Sequence, residues 1–323
     1  MKTLLAACGV AAAALAGAVA PAAAAYPDRP VTIVVPFPPG GSTDMVARTL
    51  STRLGAAFGQ TFVVENQPGA TGAIGATRVK RAPADGYTIL VASIGVFATN
   101  PFLQKNLQYD PARDFDLLTV AVRAPNVLVA HPSVPAKNVA EMIEFLKKNP
   151  DKVSFASSGS GSSDHLTTAL FWQRTGTSGI HVPYRGGAPA ISDLLAGHAQ
   201  VSFQNVNAVI KHIQAGKLKA FAVTGDKRSS VLPDVPTLSE AGVKGADVFS
   251  WQAVAAPKGL PKEVRDRLHA VLVKALHEPD VVKNLSEQGF EIVANTPEQF
   301  AVFLNQELAK WKSVIETGKI TLD

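Results

Sequence analysis

The sequence predicts an α/β fold in two lobes, each a mainly parallel sheet flanked by helices, with a hinge between them. Three observations lead there. Short apolar, β-branched runs alternate with helix-period stripes from Val31 onward, the pattern of βα units. A chain of 323 residues, 46% hydrophobic and 18% charged, is globular in composition and longer than one core usually accommodates. The same strand–helix grammar also restarts near residue 125, so the chain is read to cross between lobes twice, near 123–126 and near 245–249.

The elements follow in order. Val31-Thr-Ile-Val-Val35 is the first strand, and Val46, Leu50, Leu54 and Phe58 then mark one face of a helix. Strands are expected at 61–65 and 88–92, then a long loop through Asn100-Pro101, then strands at 117–122 and 126–131. The middle of the chain reads as helix 139–148, strand 152–156, helix 165–174, strand 180–183, helix 188–196, strand 200–205, helix 208–215 and strand 218–224. A Pro-rich stretch, 232–242, precedes an apolar strand at 249–256. Helix 261–277 carries Val264, Leu268, Val271 and Ala275 on one face. Thr296, Pro297 and Gln299 open the last helix as N-cap, N1 proline and capping box. Its stripe of Phe300, Leu304, Leu308, Trp311 and Ile315 is core packing. One lobe is therefore 26–124 plus 248–323 and the other 125–247, a jaw that closes about two crossing segments.

Residues 1–25 read as a secretory signal peptide. Lys2 precedes a run of Leu, Ala, Val and Gly that closes in Pro21-Ala-Ala-Ala-Ala25, an Ala-x-Ala cleavage site before Tyr26. The stretch is short and Ala-rich and lacks a basic stop-transfer flank, which argues against a membrane anchor. Leu5-Ala-Ala-Cys8 resembles a lipoprotein box but sits too early in the apolar segment. Cleavage removes Cys8, the only cysteine, so the mature chain has no intramolecular disulfide. The net charge is +5, with Lys and Arg interspersed among acids, so nothing resembles a nucleic-acid stripe. A mildly basic surface favours diffusional capture of anions and equally serves solubility.

Two loops stand out, Pro36-Phe-Pro-Pro-Gly-Gly-Ser-Thr-Asp44 and Ser157-Ser-Gly-Ser-Gly-Ser-Ser-Asp-His165. Each leaves a buried strand, is built from Gly and Ser, and enters a helix. Glycine lets the backbone approach a ligand, and the first N–H groups of a helix have no partners inside it, so each loop is a candidate anion cradle. An ordinary strand-to-helix turn is the competing account; one such loop in each lobe, both at the carboxyl ends of strands, favours the cradle. The candidate ligand-binding residues are Phe37, Pro38, Gly40, Gly41, Ser42, Thr43 and Asp44 in the first loop. In the second they are Ser157, Ser158, Gly159, Gly161, Ser162 and Ser163. Hydrogen bonds to a charged group contribute roughly 1.5–3 kcal/mol each, so a handful supports about −8 kcal/mol, micromolar binding, after ordering costs. Asp44 and Asp164 would repel an anion and are expected to accept backbone N–H bonds instead, shaping the loops. Val182-Pro-Tyr-Arg-Gly-Gly187 adds Tyr184 and Arg185. Asn205 and Asn207 end the next strand, and Ser93 to Phe97 are further candidates for the distal pocket.

The serines invite a second reading, a secreted hydrolase or transferase that uses Ser160 or Ser162 with His165 or His181 as base. No Gly-x-Ser-x-Gly elbow supports it. The seven histidines are dispersed without metal-ligand spacing, so no metal and no cofactor is expected. Gly69-Ala-Thr-Gly-Ala-Ile-Gly75 has the wrong spacing for a dinucleotide loop and reads as a tight helix entry.

Taken in order, four segments carry a family resemblance: Pro30-Val-Thr-Ile-Val-Val-Pro-Phe-Pro-Pro-Gly-Gly-Ser-Thr-Asp44, Asn66-Gln-Pro-Gly-Ala-Thr-Gly72, Ala84-Asp-Gly-Tyr-Thr-Ile-Leu90 and Leu232-Pro-Asp-Val-Pro-Thr-Leu-Ser-Glu-Ala-Gly242. Across essentially the whole mature chain the sequence resembles the Bug family of extracytoplasmic solute receptors of tripartite tricarboxylate transporters. The resemblance implies a two-lobed periplasmic binding protein fold, type II-like, that closes on a small organic carboxylate. It implies delivery to the transporter's membrane components, a monomer, and a ligand carboxylate held by backbone and hydroxyl groups of the two loops. Gln200, where many relatives carry Asp, and Pro38-Pro39, where others carry Ala-Ala, are departures. A sensor that presents its closed form to a signalling partner uses the same pocket.

Overall fold

The computed structural model describes residues 26–322; the expected signal peptide and Cys8 lie outside the described residues. In chain order the strands are β1 (Val31–Val35), β2 (Phe62–Asn66), β3 (Thr88–Ser93), β4 (Phe115–Ala130), β5 (Ser154–Ser157), β6 (Ile180–Pro183), β7 (Val201–Asn205), β8 (Lys219–Val223), β9 (Phe249–Pro257) and β10 (Glu291–Ile292). The helices are α1 (Ser42–Phe58), α2 (Ala73–Lys80), α3 (Asn100–Leu103), α4 (Val139–Lys148), α5 (Ser163–Thr175), α6 (Gly187–Ala196), α7 (Val206–Gln214), α8 (Lys262–Leu276), α9 (Pro279–Glu287) and α10 (Pro297–Thr317).

The strands form one curled sheet in the order β2-β1-β3-β9-β4-β7-β5-β6, with β8 and β10 also paired to β4. Pairings toward the two ends, β1 with β2 and β3 and β5 with β6 and β7, are parallel as the βα pattern requires. The central pairings of β9 and β4 are antiparallel. Where the sequence suggests two strands interrupted at 123–126, β4 runs through. Its first part pairs with β9 and β10, and Asn126–Ala130 pairs with β7 and β8. Pro125, which has no N–H to donate, falls where the strand exchanges one set of neighbours for the other, a place a central strand tolerates it. Register shifts at Leu117/Thr119, Val120/Val122 and Leu128/Val129 bend β4 further. Beside it, Ala124 and Pro125 face Ser250 and Phe249, so the two crossing segments lie next to each other.

β1 is buried on both faces, and α1 covers it with Val46, Leu50 and Leu54. Gly59 closes α1 in a left-handed conformation, its N–H bonded to the Gly55 carbonyl. The capping box at Thr296 and Gln299 forms as expected, and Phe300, Leu304, Trp311 and Ile315 of α10 enter the core. There Phe97 stacks on Trp251 at 5.8 Å, and Glu307 accepts the indole N–H groups of Trp251 (2.8 Å) and Trp311 (3.0 Å). Two helices had no counterpart in the sequence pattern, the short α3 in what reads as a long loop through Asn100-Pro101 and α9, which packs Val281 and Leu285 beneath α8, whereas α2 follows the helix entry expected at Gly69–Gly75. Among the described residues no helix is long and apolar enough to cross a membrane.

Candidate functional site

Strand ends and helix starts from opposite ends of the sheet meet at a cleft of about 1170 Å³. Four helices begin on its wall. α1 starts after Gly41, which is extended and makes no side-chain cap; α6 starts after Gly186 (φ 115°) and α7 after Asn205, also without side-chain caps. α5 starts after Ser162, whose side chain accepts the His165 N–H. Each start contributes roughly half a positive charge and unpaired N–H groups. The cleft therefore attracts anions although Arg185 and His212 are the only basic side chains among its described lining residues.

The two acids on the wall are occupied. Asp44 accepts the Gly40 N–H (3.0 Å), Arg48 Nε (2.9 Å) and Asn66 Nδ2 (2.9 Å). Burial pushes its carboxyl up, but these hydrogen bonds outweigh burial and hold it below the usual carboxylate range. Asp164 accepts the Ser158 N–H and hydroxyl, both at 2.7 Å, and Gln204 Nε2 at 3.3 Å. Complete burial pushes this carboxyl up against the hydrogen bonds of Ser162 and Ser158. Both acids shape their loops, as the sequence leads one to expect.

Behind the Ser-rich loop the rings of His165 and His181 stack at 3.8 Å and 5°. His165 Nδ1 accepts the Gly161 N–H at 3.0 Å, which requires a neutral ring, and burial followed by the neighbouring His181 lowers its pKa to about 3. Ser157 is a correction to the expected site. It is fully buried, its hydroxyl lies 2.6 Å from His181 Nε2 and accepts the Gly159 N–H, and it is absent from the cleft wall. As the last residue of β5 its side chain points into the sheet packing, so it supports the loop from behind. The Ser157 hydroxyl is thus committed to His181 and the Gly159 N–H away from the cleft wall, and the Ser162 hydroxyl is spent on the Gly159 carbonyl and the helix cap.

All the other expected residues, Phe37, Pro38, Gly40 to Asp44, Ser93, Ser158, Gly159, Gly161, Ser162, Ser163, Tyr184 and Asn205, line the cleft. The Tyr184 hydroxyl is tied to Asp193 at 2.7 Å, so the ring faces the cleft while its polar end does not act freely. Of the further candidates, Ile94 and Gly95 also line the cleft, whereas Val96 and Phe97 are a second correction: both are fully buried in the core. Gln200 braces β5 by accepting the Ser154 N–H, away from the cleft, so that departure from the family pattern leaves the wall unchanged.

Three contacts cross the cleft. Ser42 Oγ donates to Asn205 Oδ1 (3.4 Å) and accepts Asn207 Nδ2 (2.8 Å), and Thr99 Oγ1 donates to the Gly161 carbonyl (2.9 Å). Sequence reasoning missed several wall residues. The turn at Gly69–Gly72, taken only as a helix entry, holds four successive positive-φ residues and also lines the cleft. Ser250 and Gln252 were overlooked inside an apolar strand, although a glutamine amid Phe, Trp, Ala and Val was the available signal.

The sequence profile of the tripartite tricarboxylate transporter family receptor, TctC, matches residues 46–320. Protein BugT of Bordetella pertussis is 38% identical over 321 residues, covering 98% of each chain. The Rhodopseudomonas palustris protein Rpa4515, solved with adipate, superposes with a TM-score of 0.89 at 37% identity, covering 92% of this chain and all of that one. MatC of the same organism, solved with bound malate, gives 0.85 at 31% identity, covering 90% of this chain and all of that one. With its profile, its sequence relatives and its fold in agreement, the chain belongs to the TctC family of tripartite tricarboxylate transporter receptors.

Proposed function

We propose that this receptor works in the periplasm, closes on one small organic carboxylate, and delivers it as a monomer to the membrane components of a tripartite tricarboxylate transporter. The observation that carries the reading is the convergence of four helix starts on a cleft whose two acids are already hydrogen-bonded elsewhere. Such a wall holds an anion with neutral donors and releases it more readily than buried ion pairs would. The adipate and malate held by the two R. palustris relatives agree with that chemistry.

The lobes are 26–124 with 248–323 and 125–247, and the hinge is the paired segment of β4 and β9 around Arg123–Pro125 and Phe249–Trp251. Closure is registered by Ser42, Asn205 and Asn207 across the cleft. Residues 1–25 act as the leader that exports the chain, with cleavage before Tyr26. The test is a thermal-shift series on Tyr26–Asp323 after one unfolding and refolding cycle to strip carried-over ligand. Mono-, di-, tri- and aromatic carboxylates are compared with sugars and phosphate. A ligand at 100 times its dissociation constant adds roughly 2.7 kcal/mol, a shift of several degrees. Shifts confined to carboxylates support the reading; a shift with sugar or phosphate and none with any acid overturns it.

A further inference from the structure

Resting on the carboxylate reading, we propose that Gln252 is a specificity-determining residue that selects acids carrying a hydroxyl on their carbon chain. Gln252 lies on β9, 1% exposed, opposite Ser93 of β3 and Val122 of β4, and it lines the cleft together with Ser93 and Ser250. Its Nε2 donates to Ser250 Oγ at 3.2 Å, while its Oε1 is buried without a partner. An amide oxygen left so loses hydration and gains nothing, a cost folded proteins seldom carry without use.

A carbonyl oxygen only accepts hydrogen bonds, so whatever completes Gln252 brings a donor. A carboxylate does not. A hydroxyl does, and it suits this neutral floor. An ammonium group would want a free carboxylate, and both acids on the wall are spent on their own loops. The floor also lies within a short ligand's reach of the second cradle. A Cβ placed on Gly95 would stand 3.9 Å from both the Gly161 carbonyl and Ser93 Oγ, so the Ser-rich loop and the row Ser93–Gln252 sit about one small acid apart. An acid anchored at a helix start thus presents a substituent on its chain to the floor. Discrimination against the analogue lacking that group is the usual consequence of a buried polar atom left unpaired.

The experiment is calorimetry on the refolded receptor with matched acids of three, four and five carbons, each unsubstituted, 2-hydroxy, 2-oxo and 2-amino; the five-carbon set is glutarate, 2-hydroxyglutarate, 2-oxoglutarate and glutamate. The hydroxy acid of the best-fitting length binds at least about tenfold more tightly than its unsubstituted, oxo and amino analogues. Gln252→Met, which keeps side-chain volume, brings the hydroxy acid down to the unsubstituted acid and changes the latter less than about threefold. Equal binding of hydroxy and unsubstituted acids by the native protein overturns the proposal, whether or not the variant folds. Preference for the oxo acid overturns it too, since the amide would then present its NH2, and preference for the amino acid does so by calling for a charged partner. Discrimination that survives in Gln252→Met also refutes it. If no acid binds, the carboxylate reading itself falls, a result separate from binding without discrimination.

Discussion

Acid should weaken this protein through one buried ring. His165 is held neutral beneath the Ser-rich loop, its Nδ1 accepting the Gly161 N–H, and burial and His181 lower its pKa from 6.5 to about 3. A histidine whose folded pKa is depressed takes up a proton more readily when unfolded. Its contribution to stability is therefore whole above about pH 6.5 and is lost progressively as the pH falls from there toward 3. At pH 5 the loss is close to 1.5 pH units, about 2 kcal/mol. Asp164, the neighbouring acid, works in the other direction, because burial raises its pKa and the folded state then gains as pH falls. A single variant separates the two: His165→Asn keeps an oxygen to accept the Gly161 N–H but cannot titrate, and Asp164 is common to both proteins. Urea unfolding of the two proteins at pH 8, 6.5 and 5 reads the difference. The native protein should lose about 2 kcal/mol more than the variant between pH 8 and pH 5. Parallel profiles would refute the reasoning, since they would mean that His165 takes up its proton without disturbing the loop.

Three further outcomes follow from the geometry. Ser42→Ala removes both hydrogen bonds from the start of α1 to Asn205 and Asn207, so ligand affinity measured by calorimetry should fall about fivefold, roughly 1 kcal/mol, with little change in the unfolding midpoint of the ligand-free protein. Gly72→Ala places a Cβ 2.7 Å from Val96 Cγ2 at a φ of 89°, and urea unfolding should show a loss of about 2 kcal/mol or more. Asp116 accepts the N–H groups of Gly259 and Leu260, both at 2.8 Å, and Lys258 Nζ at 2.9 Å. Asp116→Ala should therefore cost about 2–3 kcal/mol, whereas Lys258→Ala, which removes an exposed partner, should cost under about 1 kcal/mol in the same assay.

Much of this architecture was legible because it is local. The continuous apolar run at Val31–Val35 and the period-3.6 stripes of α1, α8 and α10 are dictated by what must be buried, and Thr296, Pro297 and Gln299 announce a helix start with their own hydrogen-bonding groups. The Gly/Ser loops were legible for the same reason: strand, turn and helix start are consecutive, so N–H groups without partners inside the helix can be read from neighbours in the chain.

Only the tertiary structure decided which of those groups share a space. Ser157 and Ser158 are adjacent, yet the strand end turns Ser157 inward to His181 while Ser158, the first residue past β5, lies at the cleft. Gln252 counts as part of an apolar strand until β3 and β9 come together and set it opposite Ser93. The starts of α5, α6 and α7 join that of α1 only because β4 passes through the centre of the sheet and carries the chain from one side of the cleft to the other. Sequence alone thus determined the α/β class, most of the order of elements, the family and the two Gly/Ser loops that enter helices, since backbone hydrogen bonding and hydrophobic periodicity act over a few residues. The composition of the cleft, the stacked histidine pair and the unpartnered amide at its floor were fixed by contacts between residues far apart in the chain. Those arise from long-range packing, which a local pattern does not encode.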